Sequence, residues 1–142
     1  MLEVTSETTA DRVRTWTALT AVTDWPHWTA SMTTVEPLDS GPLGPGSRVR
    51  IKQPGMPALV WTITDFREGV EFTWAAASPG IRTVAGHRLD PTPEGGTRIT
   101  LAIDQSGALA PLVRALTGRR TERYVRMEAA GLAAAAERAL PD

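Results

Sequence analysis

His87 is the residue whose type and spacing most directly suggest chemistry. Ile81, Ala85, His87 and Leu89 fall at even spacing, so in an extended strand they share one face, while Arg82, Val84 and Arg88 share the other. The apolar company of His87 predicts that it turns inward. A neutral imidazole there can donate or accept a hydrogen bond to a carbonyl or hydroxyl, or shuttle a proton. The alternative is a buried histidine satisfied by a neighbouring main-chain group. Tyr124, the single tyrosine, is the second candidate. Its hydroxyl is either a hydrogen-bonding tip inside a pocket or the polar end of an amphipathic side chain at a helix edge. His87 and Tyr124 are therefore the two candidate catalytic residues. Gln53 alternates with Val49 and Ile51, and stands beside the turn Pro54-Gly55-Met56-Pro57. It is placed to reach a pocket mouth, or to face water as a strand-end residue.

The walls of such a pocket are predicted from the same alternation. Trp61, Ile63, Phe72, Trp74 and Leu101 fall on inward strand positions, and Leu116, Tyr124, Met127 or Glu128 come from a helix. Trp and Tyr bring large flat surfaces, and Met adapts to irregular shapes. The competing use of each is to fill the core, which a small domain also needs. With two histidines, no cysteine and no H-x-x-x-H or H-E-x-x-H spacing, no metal site is expected. No Gly-x-Ser-x-Gly elbow, phosphate loop or dinucleotide fingerprint occurs, so no cofactor is expected.

The elements that must position these residues are legible as a change of period. Residues 3–8 suit a first strand. Thr9 is expected to cap a helix running through Asp11, Val13, Trp16 and Leu19. Asp24 is expected to cap a second short helix with Pro26 in its first turn. From Met32 to Gln105 the period is two: Val49 and Ile51, then Leu59, Trp61 and Ile63, then Phe72, Trp74 and Ala76, then Ile99, Leu101 and Ile103 alternate with their neighbours. Breaks at Gly41-Pro42, Pro54-Gly55, Glu68-Gly69, Pro79-Gly80 and Gly95-Gly96 punctuate an antiparallel meander with one buried and one wet face. From about Ala108 to Leu140 the period is helical, with Gly118 a candidate kink and Gly131 a candidate close approach. About thirty helical residues extend roughly 45 Å, enough to cross a whole sheet.

Composition sets outer limits. The 142 residues fit one domain spanning 1–142. A net charge of -1 from 15 basic and 16 acidic side chains argues against a nucleic-acid or anionic-membrane partner, both of which require a concentrated positive field. Arg119, Arg120 and Arg123, offset by Glu122 and Glu128, read as a solvated helix face. The absence of cysteine excludes disulfides and thiolate nucleophiles. The N-terminus lacks a signal-peptide pattern and no apolar run is long enough to enter a bilayer as a span, so a cytoplasmic location is expected, as monomer or homodimer.

The order strand, two short helices, six strands, long helix resembles the START/birch-pollen-allergen/polyketide-cyclase superfamily, SRPBCC. Asp24-Trp25-Pro26-His27-Trp28 is similar to its W-P-x-W region. Gly44-Pro45-Gly46-Ser47-Arg48 resembles its G-x-G-x-R strand entry, and Trp61-Thr62-Ile63 and Phe72-Thr73-Trp74 its W-x-V and F-x-W strands. His87-Arg88-Leu89 followed by Gly95-Gly96-Thr97 resembles H-x-L…G-G-T. The resemblance implies an α+β helix-grip fold: a curved seven-stranded antiparallel sheet, two short helices, and a long C-terminal helix across the concave face. Three functions follow as expectations. They are binding of a small hydrophobic molecule such as a lipid, isoprenoid or polyketide; a cofactor-independent polyketide cyclase or dehydratase using the same cavity; or a stress-response-type protein-interaction domain.

Overall fold

The structure, a computed structural model, describes residues 1–138. The chain runs β1 (Leu2–Thr8), α1 (Arg12–Thr20), a 3-10 turn (Val22–Asp24), α2 (Trp25–Trp28), β2 (Thr34–Pro37), β3 (Arg48–Lys52), β4 (Leu59–Arg67), β5 (Glu71–Ser78), β6 (Ile81–Pro91), β7 (Thr97–Ser106) and α3 (Ala110–Arg138). The strands form one antiparallel sheet in the order β1-β7-β6-β5-β4-β3-β2. Every connection from β2 to β7 is a neighbour-to-neighbour hairpin, as the regular turn signals require. The expected α+β helix-grip architecture, with its seven-stranded sheet, is present. The predicted helical positions Ala139 and Leu140 lie outside the described residues.

Inward positions match the period-two reading. Val49, Ile51, Ile63, Phe72, Trp74, Leu89 and Ile99 are buried on the concave side, where they form the core with Trp16, Leu19 and Trp25 from the two short helices. A bulge between Ile63 and Asp65 resets β4, and Phe66 then meets Trp16 edge-on at 5.5 Å.

Two caps differ from expectation. α1 starts at Arg12, and Asp11, not Thr9, caps it: its carboxylate accepts from the Arg14 amide at 2.9 Å. Thr9 instead turns its amide to Glu137 at 3.0 Å, because β1 runs on to Thr8 and leaves Thr9 at the joint. Val13 consequently faces solvent. Asp24 makes no capping hydrogen bond to α2, since the preceding 3-10 turn leads the chain into that helix with helical dihedrals.

α3 is fastened along its C-terminal half. Ser6 Oγ donates to the Ala129 carbonyl at 2.8 Å and Thr8 Oγ1 to that of Ala133 at 2.9 Å, while Ala129, Leu132 and Ala136 are buried. Gly131 is the expected close approach: a Cβ there would lie 2.5 Å from the Trp28 carbonyl oxygen. The helix runs unbroken through Gly118. Toward its N-terminus the packing relaxes, and Leu109, Leu112 and Leu116 are exposed. The fastened half holds α3 over the sheet, and the relaxed half leaves a gap beneath it.

Candidate functional site

The space beneath α3 has two parts, and the one under the middle of the helix is an inner cavity of about 110 Å³. From the sheet it is walled by Ile51, Trp61, Trp74, Ala85, His87 and Leu101. From α3 it receives Thr121, Tyr124, Val125 and Glu128, the i, i+3, i+4, i+7 stripe of an inward helix face. Ile103, Gln105 and Thr121 also wall a shallower outer groove of about 580 Å³ under the relaxed half of α3. The two spaces therefore adjoin at those three residues.

His87 enters from β6, directly opposite Phe72 on β5. Its ring stacks on Phe72 with centroids 4.2 Å apart and meets the edge of Trp74 at 5.3 Å. Nδ1 lies 3.1 Å from the Phe72 main-chain oxygen. A carbonyl only accepts, so Nδ1 carries the proton and Nε2 keeps its lone pair. Burial pushes the imidazole pKa down to about 4, against the opposing pull of the Phe72 carbonyl. The ring is therefore neutral at physiological pH. Nε2 has no partner among the described residues, and the one sealed side-chain polar atom without a partner is Arg120 Nε. Nε2 thus opens on the cavity. Both readings of this histidine hold at once: one nitrogen is satisfied by the main chain, and the other faces the interior.

Tyr124 presents its ring to the cavity but commits its hydroxyl, which donates to the Pro54 carbonyl at 2.9 Å. This bond ties the turn after β3 to α3. Lys52 stiffens the same turn by donating to the carbonyls of Gln53 and Met56. Gln53 turns inward rather than to water, with Nε2 3.4 Å from Glu128 Oε2.

Glu128 is the acidic side chain of the lining. Its Oε2 also accepts from Ser31 Oγ at 2.9 Å, and it has no ion-pair partner among the described residues. Burial pushes its pKa up to about 7, with the Ser31 hydroxyl pulling the other way. The alternation of the strands could not reveal this residue. Its signal was the four-residue step from Tyr124, which puts both on one helical face. Ser31, fully buried in the loop after α2, had no sequence signal, because only the tertiary fold brings it to α3.

Four predicted wall residues are placed elsewhere. Ile63 and Phe72 are sealed core, 2% and 0% exposed; Phe72 lies behind the His87 ring instead of in the cavity wall. Leu116 is 76% exposed and borders the outer groove. Met127 is partly buried but walls neither space, because it lies off the stripe carrying Tyr124 and Glu128. Trp25, which the sequence suggested only as part of a short helix, packs on Trp74 at 5.4 Å and closes one end of the cavity. No group of three or more His, Asp or Glu side chains suited to a metal occurs among the described residues. No helix among them is long and apolar enough to cross a membrane.

A sheet gripping one long helix over a polar-tipped apolar cavity defines the START/birch-pollen-allergen/polyketide-cyclase class of domain. Within it, residues 1–137 match the family described as polyketide cyclase / dehydrase and lipid transport, and the chain belongs to that family. Its fold is similar to that of the Zhui aromatase/cyclase from Streptomyces sp. R1128, with TM-score 0.79 and 18% identity over 96% of this chain and 93% of that one. A START superfamily protein from Mycobacterium smegmatis aligns with TM-score 0.74 and 15% identity over 98% of both chains. The protein TTHA0849 from Thermus thermophilus aligns with TM-score 0.79 and 16% identity over 99% of both. At these identities the likeness concerns fold. No curated protein matches the sequence.

Proposed function

We propose that this protein binds a small hydrophobic molecule, with one end of the ligand in the inner cavity and the remainder along the outer groove. The observation that carries this reading is the open inner cavity itself, walled by Trp61, Trp74, Leu101 and Tyr124 with His87 Nε2 turned into it. An apolar cavity of about 150 Å³ takes a benzene, so 110 Å³ suits at most about one small ring. A lipid, isoprenoid or polyketide therefore has to leave its bulk in the adjoining groove. Binding of this kind draws on burial of apolar area, worth about 25 cal/mol per Å², with a few polar groups fixing orientation.

The same arrangement supports a second reading, a cofactor-independent cyclase or dehydratase. The specific observation in its favour is positional, an unprotonated imidazole nitrogen facing the ligand space where a base for enolisation would act. The burial that keeps it neutral also makes it a weaker base than a solvated imidazole. The protein-interaction reading calls for a filled cavity, and the open one favours the other two. Native mass spectrometry of the protein purified from a cell lysate tests the binding reading. A co-purified apolar compound, displaced in a Trp61→Ala variant that remains folded, is the expected result. A ligand-free protein whose tryptophan emission does not respond to any single-ring hydrocarbon overturns it. Once a compound is in hand, His87→Gln separates carrier from enzyme. A carrier loses about 0.5–1.5 kcal/mol of affinity, whereas an enzyme binds comparably and turns over on the order of 100-fold more slowly.

A further inference from the structure

The cavity holds a second polar group that ligand burial alone does not explain. Among the described residues Glu128 has no cationic partner, and Trp25, Trp61 and Trp74 wall the same cavity. Glu128 is partly buried, and a carboxyl group drawn out of water resists ionisation, so its surroundings have to indicate what it does.

Those surroundings orient the carboxyl group. The Ser31 amide donates to Thr29 Oγ1 at 3.3 Å, Thr29 and Ser31 share a hydroxyl contact at 2.7 Å, and Ser31 Oγ reaches Glu128 Oε2 at 2.9 Å. With Thr29 donating to Ser31, the hydroxyls form one chain ending on Oε2, and the Gln53 amide points at the same oxygen. Oε2 is thereby fixed as the acceptor. The proton of the acid form then sits on Oε1, which has no partner among the described residues and is not sealed from the cavity. Across the same cavity, His87 offers the opposite: a lone pair on Nε2, with its proton spent on Phe72. One wall donates and the other accepts.

We propose that Glu128 is a specificity residue that, as a neutral carboxylic acid, donates a hydrogen bond to a carbonyl oxygen of the ligand while His87 accepts one from a ligand hydroxyl. The ligand class is accordingly an uncharged hydroxy-ketone, or the enol of a dicarbonyl, whose ring enters the inner cavity. This rests on the binding reading above and adds the polarity of the ligand to it. Burial raises the Glu128 pKa to about 7, so the acid form, which is the one that donates, predominates below that pH.

Other charges do not compete at this spot. Tyr124, one turn back on α3, has its hydroxyl held by Pro54, and Lys52 at the end of β3 is turned onto turn carbonyls. His27 on α2, Glu3 and Glu7 on β1, Arg12 and Arg14 on α1 and Asp104 on β7 are not among the residues that wall the cavity.

The test uses four probes of one ring size: methylcyclohexane, cyclohexanone, 3-hydroxycyclohexanone and cyclohexylammonium. Dissociation constants are read from the indole N–H signals of Trp61 and Trp74 in NMR titrations between about pH 5.5 and 8.5, a range that brackets the point at which a raised carboxyl ionises. The expected order of affinity at about pH 6 is hydroxyketone, then ketone, then hydrocarbon, each step about 3- to 10-fold, the worth of one hydrogen bond. Ketone affinity should fall as pH rises through about 7 in the wild type. It should be independent of pH in Glu128→Gln, whose amide still donates but does not titrate. In Glu128→Leu the ketone should bind no better than the hydrocarbon. Equal affinity of ketone and hydrocarbon in all three proteins overturns the role of Glu128 and leaves the pocket reading intact. Preference for cyclohexylammonium, rising through about pH 7 and abolished in Glu128→Gln, overturns it in favour of a cation site. Failure of every probe to move either indole signal overturns the binding reading, and this inference with it.

Discussion

His87 is bound to one residue in two ways: its ring lies flat against the ring of Phe72 at 4.2 Å, and its Nδ1 donates to the main-chain oxygen of Phe72 at 3.1 Å. The two residues are directly paired across β5 and β6, so the sheet register itself fixes the tautomer. The arrangement leaves Nε2 free and holds the ring neutral by burial. The His87 ring carbons should accordingly show no protonation shift in NMR spectra until the pH approaches about 4. A midpoint near about 6.5, the value of a solvated imidazole, would mean that water reaches the ring and that burial does not hold it neutral.

Tyr124 holds the wall of the cavity through its bond to Pro54. Tyr124→Phe keeps the ring and removes the bond, at a cost of about 0.5–1.5 kcal/mol in chemical denaturation. The turn from Gln53 to Leu59 should then exchange its amide hydrogens faster, while β5 and β6 remain as protected as before. If that turn's exchange is unchanged, the hydroxyl is not what fastens it.

Gly131 and Gly118 lie on the same helix and should respond oppositely to alanine. A methyl at Gly131 meets the Trp28 carbonyl oxygen at 2.5 Å and its ring at 2.7 Å, whereas nothing lies within 4 Å of one at Gly118. Gly118→Ala should raise stability by up to about 1 kcal/mol, the difference in helix propensity. Gly131→Ala gains the same propensity but has to push α2 away from α3, and should lose roughly 1–3 kcal/mol net. Thermal melts of the two variants decide it, and a stabilised Gly131→Ala would show that α2 yields easily.

The fold was legible because its signals are local. Alternation through Phe72 and Trp74, or through Ala85, His87 and Leu89, names the inward face of a strand without knowledge of its neighbours. Proline and glycine marked the ends of the hairpins. Part of the site was legible for the same reason, since Trp61, Trp74, His87 and Leu101 are inward strand positions. What strand alternation does not encode is depth. Ile63 and Phe72 are as inward as Trp74, yet both are sealed core, Phe72 under Trp16 of α1 at 6.2 Å, and only the packing of the closed fold decides which inward positions border a gap. The long helix was harder still. Leu116 and Tyr124 both fit its apolar pattern, but packing relaxes toward the N-terminus of the helix, where Leu116 borders the outer groove and reaches solvent. Glu128 fitted two readings in the sequence, a pocket residue one turn beyond Tyr124 and part of a solvated face, and the cavity takes it as the first. Ser31, its partner from 97 residues away, belongs to a contact that only the closed fold creates.

The two titratable groups of the cavity should also leave opposite marks on stability. His87 has its pKa lowered from 6.5 to about 4 by burial. Its contribution is fully present above about pH 6.5 and is lost as pH falls toward 4, because the unfolded chain takes up a proton that the folded one refuses. Glu128 has its pKa raised from 4.5 to about 7, also by burial. Its contribution is fully present below about pH 4.5 and is lost as pH rises through 7, because the unfolded chain releases a proton that the folded one keeps. Each effect is on the order of 3 kcal/mol across its window. Between about pH 4.5 and 6.5 they oppose each other, so the wild type should show little net slope from this pair. Single variants expose the partner that remains. Glu128→Gln should gain stability with rising pH from about 4.5 to 6.5 and then level off, whereas His87→Gln should lose stability steadily from about pH 4.5 to 7. The double variant should show neither trend. Urea denaturation at half-unit pH steps measures all four curves. Parallel curves for the wild type and both single variants would mean that these two side chains titrate as they do in water, and that the cavity does not keep both of them neutral.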